Sequence, residues 1–100
     1  MKVFVKLHKS GDLSILAVCD ENLLGKRLID DKGFAIYVDP RFYGGELVTM
    51  DEAFSMMSEA NCINMVGNEV VREAIKRGLV REESVIEVCG VLHAQIIEVK

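Results

Sequence analysis

The chain predicts an α+β domain, and three observations carry that prediction. Its first twenty residues alternate in a period of two around a Gly-containing turn, its middle carries two amphipathic helical stripes, and its last stretch alternates again. Strand pairs flanking a helical centre give a mostly antiparallel sheet with two main helices on one face. With 100 residues and 50% apolar content, residues 1–100 are expected to form a single domain around one core. No repeat, low-complexity tract or linker divides them.

In "KVFVKLH", Val3, Val5 and Leu7 share one face and Lys2, Lys6 and His8 the other. "KSGD" supplies a turn and "LSILAVC" the returning strand, so residues 1–8 and 13–19 should pair as a hairpin. "CDENLLGK" then reads as one helical turn, with Asp20 as its N-cap and Gly25 as its stop. A second hairpin follows in "KRLIDDKGFAIYV", with Phe34, Ile36 and Val38 on a common face. Pro40 should end that strand because it has no N–H to donate, leaving "RFYGGE" as an aromatic loop.

Thr49 and Glu52 stand at capping-box spacing. Met50, Ala53, Phe54 and Met57 follow at helical spacing, predicting a helix over 51–59. "NCINMVGN" interrupts the period. "NEVVREAIKRG" predicts a second helix over 69–77, with Lys76 and Arg77 in its last turn and Gly78 closing it. "SVIEVC" and "VLHAQIIEV" are the last strands, bent at Gly90. A terminal strand could return parallel to the first.

The totals exclude several function classes. Net charge is −4, and the imbalance is local: residues 1–50 hold seven basic and seven acidic side chains, residues 51–100 five and nine. That balance gives no bulk electrostatic grip on nucleic acid. It leaves a local patch from Lys2, Lys6, Lys9, Lys26, Arg27 and Arg41. No apolar run is long enough to span a membrane, and the alternating N-terminus reads as a strand rather than a signal peptide, so a cytoplasmic protein is expected. Cys19, Cys62 and Cys89 make neither a disulfide framework nor a CxxC pair. With His8 and His93 they show no metal-ligand spacing, and neither a metal nor a cofactor is expected.

The terminal strand is the most informative stretch. Leu92, Ala94 and Ile96 point one way; Val91, His93, Gln95, Ile97 and Val99 point the other. His93 and Gln95, the only glutamine in the chain, are therefore same-side neighbours about 7 Å apart at ~3.3 Å per residue. They form a polar window opposite an apolar face. A second reading pairs Cys19, just before a helical turn, with His93 as its base, which would make a small hydrolase or transferase. That pairing requires the two strands to be neighbours.

"VCDENLLGK", "FYGGE", "NMVGNEVV" and "GVLHAQIIEV", in this order, resemble the archaeal domain-of-unknown-function family 424 over nearly the whole chain. The resemblance implies a small α+β domain in an archaeal cytoplasmic protein, with a link to RNA binding and translation and no catalytic residues to carry over. A proline often precedes the His of the family's HAQ motif, where this chain has Leu92. Cys19, Asp20, Asn64, His93 and Gln95 all fall within the matched motifs. The expectation is a binding module, with Asp20, Asn64, His93 and Gln95 as its binding candidates and RNA or a translation-related protein as partner.

Overall fold

A computed structural model describes residues 1–97. Val99, assigned above to the outer face of the last strand, lies outside the described residues. The first two strands form as expected: β1 (Lys2–Ser10) pairs antiparallel with β2 (Leu13–Asp20), placing Lys6 opposite Ala17. A three-residue 3-10 turn follows at Glu21–Leu23. Next comes a separate two-stranded ribbon of β3 (Arg27–Ile29) and β4 (Ala35–Tyr37). Of its expected apolar face, Val38 is buried and Ile36 half-buried, but Phe34 precedes the strand and is 64% exposed.

Pro40 does not end a strand. It opens a short helix, α1 (Pro40–Tyr43), where its missing N–H costs nothing, and the Asp39 carboxylate caps that helix by accepting from the Arg41 N–H. The expected aromatic loop is thus one helical turn, followed by a strand that periodicity did not reveal, β5 (Glu46–Thr49). β5 pairs antiparallel with the start of β1. Thr49 then caps α2 (Met50–Met56) through the predicted capping box, with both hydrogen bonds at 3.1 Å, and a 3-10 turn at Met57–Glu59 extends it.

The interruption after α2 is the sheet's central strand, β6 (Cys62–Val66). It runs parallel to β2. After α3 (Asn68–Lys76), β7 (Ile86–Val88) and β8 (Val91–Ile97) form a hairpin. Its two-residue turn, Cys89–Gly90, has φ of 53° and 77°, the positive pair that matches strand twist in a tight hairpin. The order is β5-β1-β2-β6-β8-β7. The terminal strand does not return beside the first: β8 pairs antiparallel with β6, and the single parallel junction is β2–β6.

The pleat sorts this sheet into two faces. Val3, Val5, Leu16, Val18, Ile63, Met65 and Ala94 point to one side, where Phe54 of α2 and Val70, Val71 and Ala74 of α3 close the main core. This is the helix face. Arg77, just past α3, ties the two helices together by binding Glu73 and Asp51 at 2.8 Å each. The opposite, open face is only partly covered, by the 3-10 turn, the ribbon and α1, over Ala17, Cys19 and Val66.

Candidate functional site

Strand register arranges the open face in rows. Lys6, Ala17, Asn64 and Gln95 make one row across β1, β2, β6 and β8. His8, Ile15, Cys62 and Ile97 lie on one side of it; Phe4, Cys19, Val66, His93 and Ile86 lie on the other. Three of the sequence-predicted residues therefore meet. Asn64 and Gln95 are direct cross-strand partners, and His93 Nε2 lies 3.3 Å from Asn64 Oδ1.

Two aromatic residues outside the binding candidates complete the arrangement. α1 drops Tyr43 onto the sheet, 5% exposed, where its hydroxyl donates to Asn64 Oδ1. Phe42 stacks flat on His8, with centroids 4.8 Å apart and planes 12° from parallel, and the His8 Nε2 sits 2.8 Å from the Phe42 carbonyl oxygen. Only the adjacent aromatics in "RFYGG" pointed to these roles, and an unanchored loop could not be placed over a particular row. Beside this layer a cleft of about 180 Å³ stays open, lined by Ile15, Phe42, Cys62, Asn64, Gln95 and Ile97. Gln95 is exposed, His93 and Asn64 are half-buried. Burial holds the His93 imidazole below its ordinary pKa, so it is neutral in neutral solution. Burial likewise pushes the Tyr43 phenol up to about 12.

Cys19 and Asp20 do not join this cluster. β6 separates β2 from β8, and Val66 stands between Cys19 and His93 in their row. The thiol is fully buried, and that burial, with Asp20 adding negative charge, pushes its pKa up to about 12. A thiol so placed is a packing group, and the neighbouring-strand condition for a Cys19–His93 pair is not met. Asp20 points to the helix face. It makes no cap on the turn that follows it; its two oxygens accept from the Glu69 and Val70 N–H groups at 2.9 and 3.0 Å, capping α3 from a strand fifty residues away in sequence. Burial raises its pKa, against the pull of those two hydrogen bonds. Gly67 lets it approach: φ there is 128°, and a Cβ would fall 2.3 Å from the Asp20 Cγ.

The basic candidates divide. Lys6 Nζ donates to the Arg41 carbonyl at 2.9 Å, Arg41 is exposed beside Asp39, and Arg27 lies over the Tyr37 ring at 4.1 Å. These three belong to the open face and its covering layer. Lys2 stands at the far end of β1 near Glu52, Lys9 points to the other face near the hairpin tip, and Lys26 follows the 3-10 turn. They form no common patch with the cleft. Among the described residues, no three His, Cys, Asp or Glu side chains are grouped to hold a metal ion, and no helix is long and apolar enough to cross a membrane.

Among curated proteins, no relative matches the chain. Among solved structures, the crystal structure of an uncharacterized conserved protein from Methanopyrus kandleri superposes with a TM-score of 0.80 at 30% identity, covering 100% of this chain and 96% of that one. The same fold thus recurs over the whole domain, with the sheet and helices described above. A family described as protein of unknown function, DUF424, matches residues 8–99, from the end of β1 past β8, and the chain belongs to that family.

Proposed function

We propose that the open face binds single-stranded RNA. The observation that carries this reading is the cleft itself: a pair of amides, Asn64 and Gln95, beside an aromatic wall at Phe42. Single-stranded RNA is recognised through such groups, with bases stacked on aromatic rings and their edges hydrogen-bonded by side-chain amides. Charge supports the same surface. The acidic residues at described positions of the main sheet, Asp20, Glu46 and Glu87, all fall on the helix side of the pleat. The open side carries Lys6 near the cleft, with Arg27 and Arg41 in the layer above, where Asp39 pairs with Arg41. A net charge of −4 conceals this local asymmetry.

Fluorescence anisotropy with short single-stranded RNAs tests the proposal. Binding is expected at low salt and should weaken with a shallow salt dependence, because only Lys6, Arg27 and Arg41 are placed to reach phosphates. Phe42→Leu keeps apolar volume but removes the stacking surface, and should weaken binding by about 1–3 kcal/mol. Lys6→Ala should flatten the salt dependence. No RNA binding even at low salt would overturn the reading and direct attention to a protein partner for the same face.

A further inference from the structure

The hydrogen bonds behind Asn64 fix which way its amide points. The Tyr43 hydroxyl is buried, and its one partner among the described residues is Asn64 Oδ1. The phenol proton needs an acceptor, and the amide oxygen it meets supplies one, whereas the amide nitrogen in its place would leave that proton unpaired. His93 Nε2 approaches the same oxygen. A carbonyl oxygen has no proton to offer, so Nε2 carries it, and the neutral imidazole is left bare at Nδ1. With both acceptor sites of Oδ1 used, Asn64 turns its NH2 group to the cleft it lines. Gln95, directly opposite, makes no side-chain hydrogen bond among the described residues and offers both a carbonyl and an NH2.

We propose that the Tyr43–Asn64–His93 hydrogen bonds make this cleft a pyrimidine-reading pocket; the inference rests on the RNA reading above and names the base class. Asn64 and Gln95 together present a donor, an acceptor and a donor. Uracil offers the complement, O4, N3–H and O2. If the Gln95 amide turns over, the array becomes donor, donor, acceptor, which complements O2, N3 and the N4 amino group of cytosine. Adenine presents only two such groups in line. Guanine can accept from Asn64 at O6 and donate from N1, but its N2 amino group then faces the Gln95 NH2, donor against donor. Both pyrimidines satisfy all three groups and both purines leave one unpaired.

Two measurements test this together. Nitrogen-15 NMR of the imidazole should show His93 protonated at Nε2 and bare at Nδ1; the opposite tautomer overturns the proposal without any RNA present. Binding to uridine and cytidine strands should exceed binding to adenosine strands by about tenfold, the order expected when a paired hydrogen-bond set is broken. Asn64→Asp retains an oxygen for Tyr43 and His93 but turns the cleft group from donor to acceptor. Acceptor, acceptor, donor complements N2–H, N1–H and O6 of guanine, so preference should move to uridine strands with interspersed guanosines. Tyr43→Phe frees the amide to turn over, and should collapse the preference while uridine binding stays within a few-fold; it decides the matter if Asn64→Asp does not fold. Equal binding of all strands, or pyrimidine preference unchanged in both variants, overturns the pyrimidine reading alone. Absence of binding to every strand overturns the RNA reading, and the pocket assignment with it.

Discussion

At the centre of the sheet, Met65 and Ala94 face the helices with 0% and 2% exposure, while their chain neighbours Asn64 and Gln95 face the cleft. One residue along a strand separates the best-packed part of the molecule from the amides of the open cleft. On the helix face every sheet side chain at the centre is apolar and covered. On the open face the covering layer stops short, and it leaves uncovered the amides of Asn64 and Gln95 beside an apolar row of Ile15, Cys62 and the 68% exposed Ile97. The pleat lets one ladder serve stability on one side and recognition on the other, because a side chain on one face makes no contact through the sheet.

That division can be broken most forcefully from the helix face. Leu16 is fully buried at the middle of β2, in the core that α2 and α3 close over the sheet. Leu16→Ala should cost about 2–5 kcal/mol, the range for a buried leucine whose surroundings collapse only partly. Denaturant unfolding would measure it. A loss below about 1 kcal/mol would mean that the core face is far less tightly packed than its burial implies.

Asp20 comes next. Asp20→Ala strips α3 of the one side chain among the described residues that caps its first N–H groups, and should cost about 2 kcal/mol, the upper end for lost caps. Hydrogen exchange should locate the change: amides at the start of α3 should lose protection, while those of β6 and β8 keep theirs. Uniform loss would mean that Asp20 supports the whole sheet. The residue also shows a limit of sequence reasoning. Its type and its place before a turn identify a capping residue correctly, but the helix it caps lies across a fold that local pattern does not contain.

The same limit explains which elements were legible. The β1–β2 hairpin, the Thr49 capping box and both main helices follow from local pattern, and all of them form. β6 does not read as a strand because it is five residues long, carries Asn64 at its centre and is framed by Asn61 and Gly67. Its partners, β2 and β8, are supplied only by tertiary pairing. β5 is hidden because its last residue doubles as the cap of α2. At the site, alternation alone placed His93 and Gln95 together. Asn64 comes through family resemblance, and Tyr43 gains its place beside Asn64 only because α1 lies on the sheet.

His93 offers a smaller, pH-dependent probe of the boundary between the faces. Burial lowers its pKa in the folded chain, so the unfolded chain binds a proton more readily. The stability that neutral His93 contributes is fully present above its unfolded value, about 6.5, and is lost as pH falls through the lower folded value. Wild-type stability should therefore fall relative to that of His93→Gln on acidification below pH 6.5. Parallel profiles for the two proteins would show that the imbalance is absent and that His93 is solvated.

The smallest stability effect is expected at Gln95, and it sharpens the comparison most. Gln95 is exposed, has no side-chain hydrogen bond among the described residues, and sits opposite Asn64 on the uncovered part of the face. Truncating it opens no cavity and orphans no buried partner. Gln95→Ala should therefore change unfolding stability by no more than about 0.5 kcal/mol. The same change removes two of the three groups that the cleft offers to a base edge, so RNA binding should weaken by about tenfold. Ile96→Ala, one residue along and turned to the half-buried edge of the core that the cleft also borders, should instead lose measurable stability. A Gln95→Ala variant as destabilised as Ile96→Ala would place the glutamine in the packing of the sheet. If both variants bind RNA like the wild type, the cleft is not where RNA is held, and the open face must be searched instead around Lys6, His8 and Arg41.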